Sequence, residues 1–287
     1  MRAIYKRELV YLFHTLPTYL YLCINLLLCG LFVVAFNLLQ LSPSFEYSVS
    51  YFGLPLLVMV PVLCMSSLAR ERKNGLKDLL WSLPVGTPSL ILGKFFALVT
   101  IEAILTLVLC LLPILLGSFG AVLYLPAYLS LFFYFLLSAA LTALCMFLSS
   151  LTDSALVACF SGIAAELVFY LLGRIASVFP ASPYASFACL AVLVLLAGVL
   201  VFALSRNGIM TGVFLLITFT PFWILLFVRT SLYEGLVSRV LTRLSLFGLA
   251  SKLTYGIFDW TALLVHLSVI AVFLLFSILK IERSRNA

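Results

Sequence analysis

Charge is what this sequence has least of. Asp, Glu, Lys and Arg make up 9% of the 287 residues while hydrophobic residues make up 65%, and mean hydropathy reaches +1.27. A soluble domain carries about 25% charged residues, so a soluble globular chain is excluded and a polytopic membrane protein is indicated. Histidine is scarcer still: His14 and His266 lie far apart, neither beside an acid, and each reads as an interfacial or packed residue. The seven cysteines all fall inside apolar runs with no CxxC spacing, which points to small hydrophobes and not to a disulfide frame or a metal site. GxxxxGK[ST], HExxH and GxSxG are all missing. The chain therefore has no Walker cradle for nucleotide phosphates and no motif-borne hydrolytic site. No cofactor and no metal is expected in it. The net charge of +7 flanks the apolar runs without forming a stripe, which suits anionic lipid headgroups and argues against nucleic acid.

What is abundant is membrane span. A hydrocarbon core about 30 Å thick takes about 20 apolar residues in helix. That ruler gives an all-α protein of about eight transmembrane helices, at 17–39, 52–69, 89–116, 122–149, 154–173, 184–204, 209–228 and 260–280. The whole of 1–287 reads as a single transmembrane domain. Pro55, Pro61, Pro113 and Pro221 fall inside spans and kink them. Residues 1–16 form an interfacial helix, with Tyr5, Leu9, Leu12 and Phe13 on one face and Lys6, Arg7 and Glu8 off it. The connection 229–259 is an outer amphipathic segment, in which Leu232, Leu236, Val240 and Leu244 recur every four residues beside Arg239 and Arg243. Asp259 is placed to cap the last helix.

With the N-terminus inside, 12 Lys and Arg lie on the cytoplasmic side and 5 outside. The positive-inside rule thus gives an N-in, C-in protein, multi-pass in the cell membrane.

One long charged segment interrupts the hydrocarbon, residues 70–94. Leu76, Leu79, Leu80 and Leu83 share one helical face while Lys73, Lys77 and Asp78 take the other, and Pro84 and Gly86 stop the helix. Four buried leucines contribute about 6 to 12 kcal/mol gross, so that face needs cover: this protein's own spans, the lipid interface or a partner.

Two acids lie deep in spans, Glu102 and Glu166. A charge at the bilayer centre costs about 2.5 to 3.5 kcal/mol on insertion scales, so each is expected to face the bundle interior, pair or carry a proton. They either line a translocation path or cross-link helices through hydroxyls such as those of Thr106 or Tyr170.

The run Glu71-Arg72-Lys73-Asn74-Gly75-Leu76-Lys77-Asp78-Leu79-Leu80-Trp81-Ser82-Leu83-Pro84-Val85, followed by Ile91-Leu92-Gly93-Lys94, resembles the cytoplasmic segment between the second and third helices of type-2 ABC exporter permeases. Tyr5-Lys6-Arg7-Glu8-Leu9 is similar to that family's interfacial helix. Tyr255-Gly256-Ile257-Phe258-Asp259 and the closing Glu282-Arg283 resemble its gliding-motility-type branch. Leu76-Lys77-Asp78 stands where the family often has Thr-x-Glu, and the pair at 184–228 is additional to a six-helix core. The resemblance implies a permease subunit that pairs with a second copy or a related subunit and docks on a separate pair of ABC ATPase subunits. ATP and Mg would be held by those ATPases. Arg72, Lys73, Gly75, Leu76, Asp78, Leu79, Leu80 and Leu83 would be the coupling residues. Competing readings are an ion-coupled secondary transporter using Glu102 and Glu166, a polytopic membrane enzyme, and a scaffold.

Overall fold

The structure is a computed structural model that describes residues 1–40, 42–69, 86–120, 122–180, 182–205, 212, 215–218, 220, 230, 233–248 and 259–286. The described residues form helices without a strand among them: α1 (Arg2–Phe13), α2 (Leu16–Val33), α3 (Phe45–Val49), α4 (Gly53–Cys64), α5 (Thr87–Leu109), α6 (Leu111–Gly117), α7 (Tyr124–Leu151), α8 (Ala155–Val178), α9 (Pro183–Ser205), α10 (Leu236–Leu244) and α11 (Trp260–Asn286). Five stretches are long and apolar enough to cross a membrane: Leu16–Leu38, Thr87–Gly117, Tyr124–Leu151, Ala155–Val178 and Trp260–Arg285. This is a multi-pass membrane protein. Large side chains such as Leu27, Leu107, Phe160 and Leu264 are more than 60% exposed on these helices, as expected of surfaces that face lipid and not water.

The chain divides into two compact units, residues 1–170 with 246–287, and residues 171–245. In the first, α7 is the axis. Ser138 through Met146 are nine consecutive buried residues, and six of them are Ser, Ala, Thr or Cys. Small side chains let neighbouring backbones approach on every side, which is how helices associate where no hydrophobic force acts between them.

Contacts along α7 fix the direction of its neighbours. Gly53 faces Leu137, Cys64 faces Thr142 and Ala69 reaches Ser149, so α4 runs parallel to α7. Ala262 packs in one cluster with Phe133, while Phe273 and Phe276 each lie 5.8 Å from Phe147, so α11 is parallel too. α5 is antiparallel: Glu102 meets Ser138 and Thr142, while Lys94 reaches Ser67 at the Ser149 end. The C-terminal end of α11 therefore lies at the same end of this unit as α1 and Lys94. Asp259 caps α11 as its sequence predicts, its carboxylate accepting from the Thr261 N–H at 2.8 Å.

Departures from straight α-helix have local causes. The expected span 89–116 breaks at Cys110, because Pro113 has no N–H to give the carbonyl of Leu109. The first span ends in a π-turn at Val34–Leu38, within which Asn37 donates to the carbonyls of Ser42 and Ser44 while accepting from the Ser48 hydroxyl. The expected span 52–69 is realised as the 12-residue α4 with turns after it.

In the second unit, α10 begins after Gly235, whose φ of +61° is a left-handed conformation that glycine adopts without strain. Ser238 donates to the carbonyl of Ala176 at 2.7 Å. The expected amphipathic helix is present, yet Val237 and Tyr233 are buried while Val240 is exposed, so the packed face is turned from the four-residue repeat read in the sequence. The expected span 209–228 falls largely outside the described residues.

Candidate functional site

The expected coupling residues Arg72, Lys73, Gly75, Leu76, Asp78, Leu79, Leu80 and Leu83 lie outside the described residues. The two stems of their segment are described, and polar contacts tie both into the bundle. On the upstream stem, the buried Ser149 hydroxyl oxygen of α7 accepts the backbone N–H groups of Leu68 at 3.3 Å and Ala69 at 3.1 Å. On the downstream stem, Lys94 in α5 is 3% exposed and its ammonium donates to the carbonyl of Ser67 at 2.7 Å. A buried ammonium needs acceptors, and a carbonyl near a helix C-terminus suits a cation. Lys94 therefore joins one stem to the other.

The same lysine holds α1. Glu8 Oε1 is 3.5 Å from Lys94 Nζ and 2.6 Å from Arg7 Nη2. The sequence placed Glu8 off the packed face with Lys6 and Arg7; here Ile4, Tyr5, Glu8, Leu9 and Leu12 form the packed face and Lys6 and Arg7 remain exposed. The Lys94 cation makes the packed side favourable for the carboxylate. Gly93 allows the approach. A Cβ there would lie 3.0 Å from Ile4 Cγ2. Two turns further on, the Thr100 hydroxyl gives its proton to the Phe96 carbonyl at 2.7 Å, leaving its oxygen to accept from the Tyr5 phenol at 3.0 Å.

Both intramembrane acids hang on α7. Tyr134, Ser138, Thr142, Cys145 and Ser149 follow one another at spacings of four, four, three and four, a single helical stripe. Glu102, fully buried, accepts from the Ser138 hydroxyl at 3.1 Å and from the Thr142 hydroxyl through a short hydrogen bond. Glu166, also fully buried, accepts from the Cys145 thiol at 3.0 Å, while its second oxygen has no partner among the described residues. Interior placement is as the sequence predicted, with different partners. Thr106 instead donates to the Glu102 carbonyl at 2.9 Å, and Tyr170 stacks edge-on against Phe247. Sequence reading missed the stripe, although its heptad-like spacing inside an apolar helix was a usable signal.

Gly162 sits one turn before Glu166 and sets how closely α8 approaches. A Cβ there would lie 2.9 Å from Pro61 Cβ and 3.1 Å from Cys145 Sγ. Among the described residues no group of three His, Cys, Asp or Glu comes together as a metal-binding set. His266 is buried, its Nδ1 hydrogen-bonded to the carbonyl of Ala262 at 2.7 Å. No family model, no curated protein and no solved structure matches this chain.

Proposed function

We propose that this chain is the membrane-spanning permease subunit of an ATP-driven exporter of the type-2 ABC class. Residues 70–94 would be the lever that couples it to a separate ATPase pair. The observation that carries the reading is the tie between the stems of that lever: Lys94 holds Ser67 and Glu8 together while Ser149 holds Leu68 and Ala69. A displacement imposed on the segment is thereby passed to α7, the most buried of the described membrane-length helices, and to α1. Rigid-body switching between two arrangements requires such a linkage.

The division of the chain also supports it. The helices α2, α4, α5 with α6, α7, α11 and the part of α8 up to Tyr170 belong to the first unit, as a six-helix core would, and the additional pair expected at 184–228 falls within residues 171–245. Eight spans, both termini in the cytoplasm and residence in the cell membrane complete the proposal. The translocation path would run between this chain and a second permease subunit, identical or related. ATP and Mg would be bound and consumed in the ATPases.

The test is affinity purification of the full chain from its native membrane in mild detergent, with ATP hydrolysis assayed in the eluate. A stoichiometric Walker-type ATPase is the expected partner, lost on Leu79→Asp with Leu80→Asp while membrane insertion persists. Wild-type recovery of that ATPase by the double variant would remove the coupling assignment.

A second reading, ion-coupled transport, draws on the Glu166 oxygen that has no partner among the described residues and on the buried Glu102. It predicts uptake into proteoliposomes driven by an ion gradient without nucleotide, abolished by Glu102→Gln or Glu166→Gln.

A further inference from the structure

We propose that the groove between α1 and α5 binds an anionic phospholipid, with the phosphate on Arg2 and an acyl chain along α5. The groove has a volume of about 410 Å³ and is lined by Met1, Arg2, Tyr5, Phe96, Val99, Thr100 and Ala103. This lies in the range of small-molecule sites, about 300 to 1,000 Å³.

The wall from α5 is a single helical stripe, Phe96, Val99, Thr100 and Ala103, at spacings of three, one and three. It belongs to a stretch apolar enough to span a membrane, so the surrounding medium is hydrocarbon and the natural occupant is an alkyl chain. Phe96 is 45% exposed along it. The polar atoms of Tyr5 and Thr100 are committed to each other, which leaves the floor apolar toward the groove.

Charge decides the headgroup. Arg2 is the only charged side chain in the lining, and it is exposed. Lys6 follows it on the exposed side of α1, while the one acid of that helix, Glu8, is taken up by Arg7 at 2.6 Å and Lys94 at 3.5 Å. A cationic mouth over an apolar trough matches a lipid with a net negative headgroup, and Arg suits phosphate because its fork donates bidentately. The side of the membrane expected for α1 is the leaflet that concentrates anionic lipid. Such a lipid would pack against both α1 and α5 and so bear on the Gly93–Lys94 seat. The proposal does not depend on whether residues 70–85 dock an ATPase.

The experiment is native mass spectrometry of the full-length protein, with any co-purifying subunits, released from nanodiscs of equal parts phosphatidylglycerol and phosphatidylcholine. The expected result is one retained phosphatidylglycerol per chain in preference to phosphatidylcholine. Arg2→Gln should lower that preference roughly fivefold, the factor for one basic residue facing anionic lipid, while lipid of either kind is still retained. Ala103→Trp fills the trough and should expel both lipids with thermal unfolding unchanged. Equal retention of the two lipids by the wild type, or an unaltered preference in Arg2→Gln, overturns the headgroup assignment. Full retention by Ala103→Trp overturns the groove.

Discussion

The ammonium of Lys94 lies 2.7 Å from the carbonyl of Ser67, across the 26 residues that separate them in sequence. Hydrogen bonds to charged groups contribute about 1.5 to 3 kcal/mol. Lys94→Met keeps the apolar stem and removes the charge, so it leaves Ser67 and Glu8 without their common cation. The expected outcome is a loss of about 2 kcal/mol in detergent-solubilised stability, with faster amide exchange confined to residues 65–69 and α1. Global loosening without that local pattern would contradict the clamp.

Gly93 should tolerate no side chain while Ile4 is present. A Cβ at 3.0 Å from Ile4 Cγ2 and 3.3 Å from Ile4 Cβ is tighter than ordinary contact, so Ile4 must yield, and α1 is expected to shift outward with it. Gly93→Ala should increase proteolysis within α1, and Ile4→Ala should restore protection because it removes the nearer atom. An unaltered cleavage pattern in Gly93→Ala would show that α1 is seated elsewhere.

Gly162→Ala places a methyl group within 2.9 Å of the Pro61 ring, which cannot rotate away. Overpacking of this kind costs about 1 to 3 kcal/mol. Because Gly162 and Glu166 lie one turn apart, the displacement should also open the Cys145–Glu166 contact. A membrane-permeant maleimide should then label Cys145 in the variant and not in the wild type.

Much of this was legible in the sequence. Five of the eight expected spans are found as stretches long and apolar enough to cross a membrane, because a bilayer demands about 20 apolar residues whatever the fold. The cap at Asp259 follows from local backbone chemistry. The burial of Glu102 and Glu166 follows from the cost of charge in lipid. Partners were not legible. Glu102 finds Ser138 and Thr142 across 36 and 40 residues, and no periodicity within one helix says which neighbour lies opposite. Glu8 was misplaced for the same reason, since the side of α1 it takes is decided by a lysine 86 positions away.

Glu46 gives the protein a pH dependence. Its side chain is buried in α3, and burial pushes the carboxyl above its ordinary range, a hydrogen bond from its own backbone offsetting part of the effect. A raised folded-state value means the folded protein binds the proton more tightly than the unfolded chain does. Stability from this group is therefore complete below the unfolded value of about 4.3 and is lost as pH rises through the folded one. Thermal unfolding followed upward from pH 4 should show a decline in the wild type that Glu46→Gln lacks. Parallel curves for the two proteins would assign the decline to another group.

The pair Glu102 and Thr142 allows structural and transport roles to be separated in one experiment. Thr142→Val preserves shape and removes the hydroxyl, leaving a buried carboxylate oxygen unpaired at a cost of about 1 to 3 kcal/mol. Glu102→Gln keeps an acceptor and offers the Thr142 hydroxyl a donor in return, so it should cost less. If the acid only cross-links α5 to α7, the two changes combined should cost less than their sum, with a coupling of about 0.5 to 3 kcal/mol, and transport should follow stability. If the acid handles an ion or a substrate, Glu102→Gln should abolish transport while unfolding stays close to wild type. The hydrogen bonds from Ser138 and Thr142 account for both acceptor oxygens of Glu102, which favours the cross-link for this residue. Glu166 keeps one oxygen free of partners among the described residues, so any loss of transport at normal stability is expected at Glu166→Gln before Glu102→Gln.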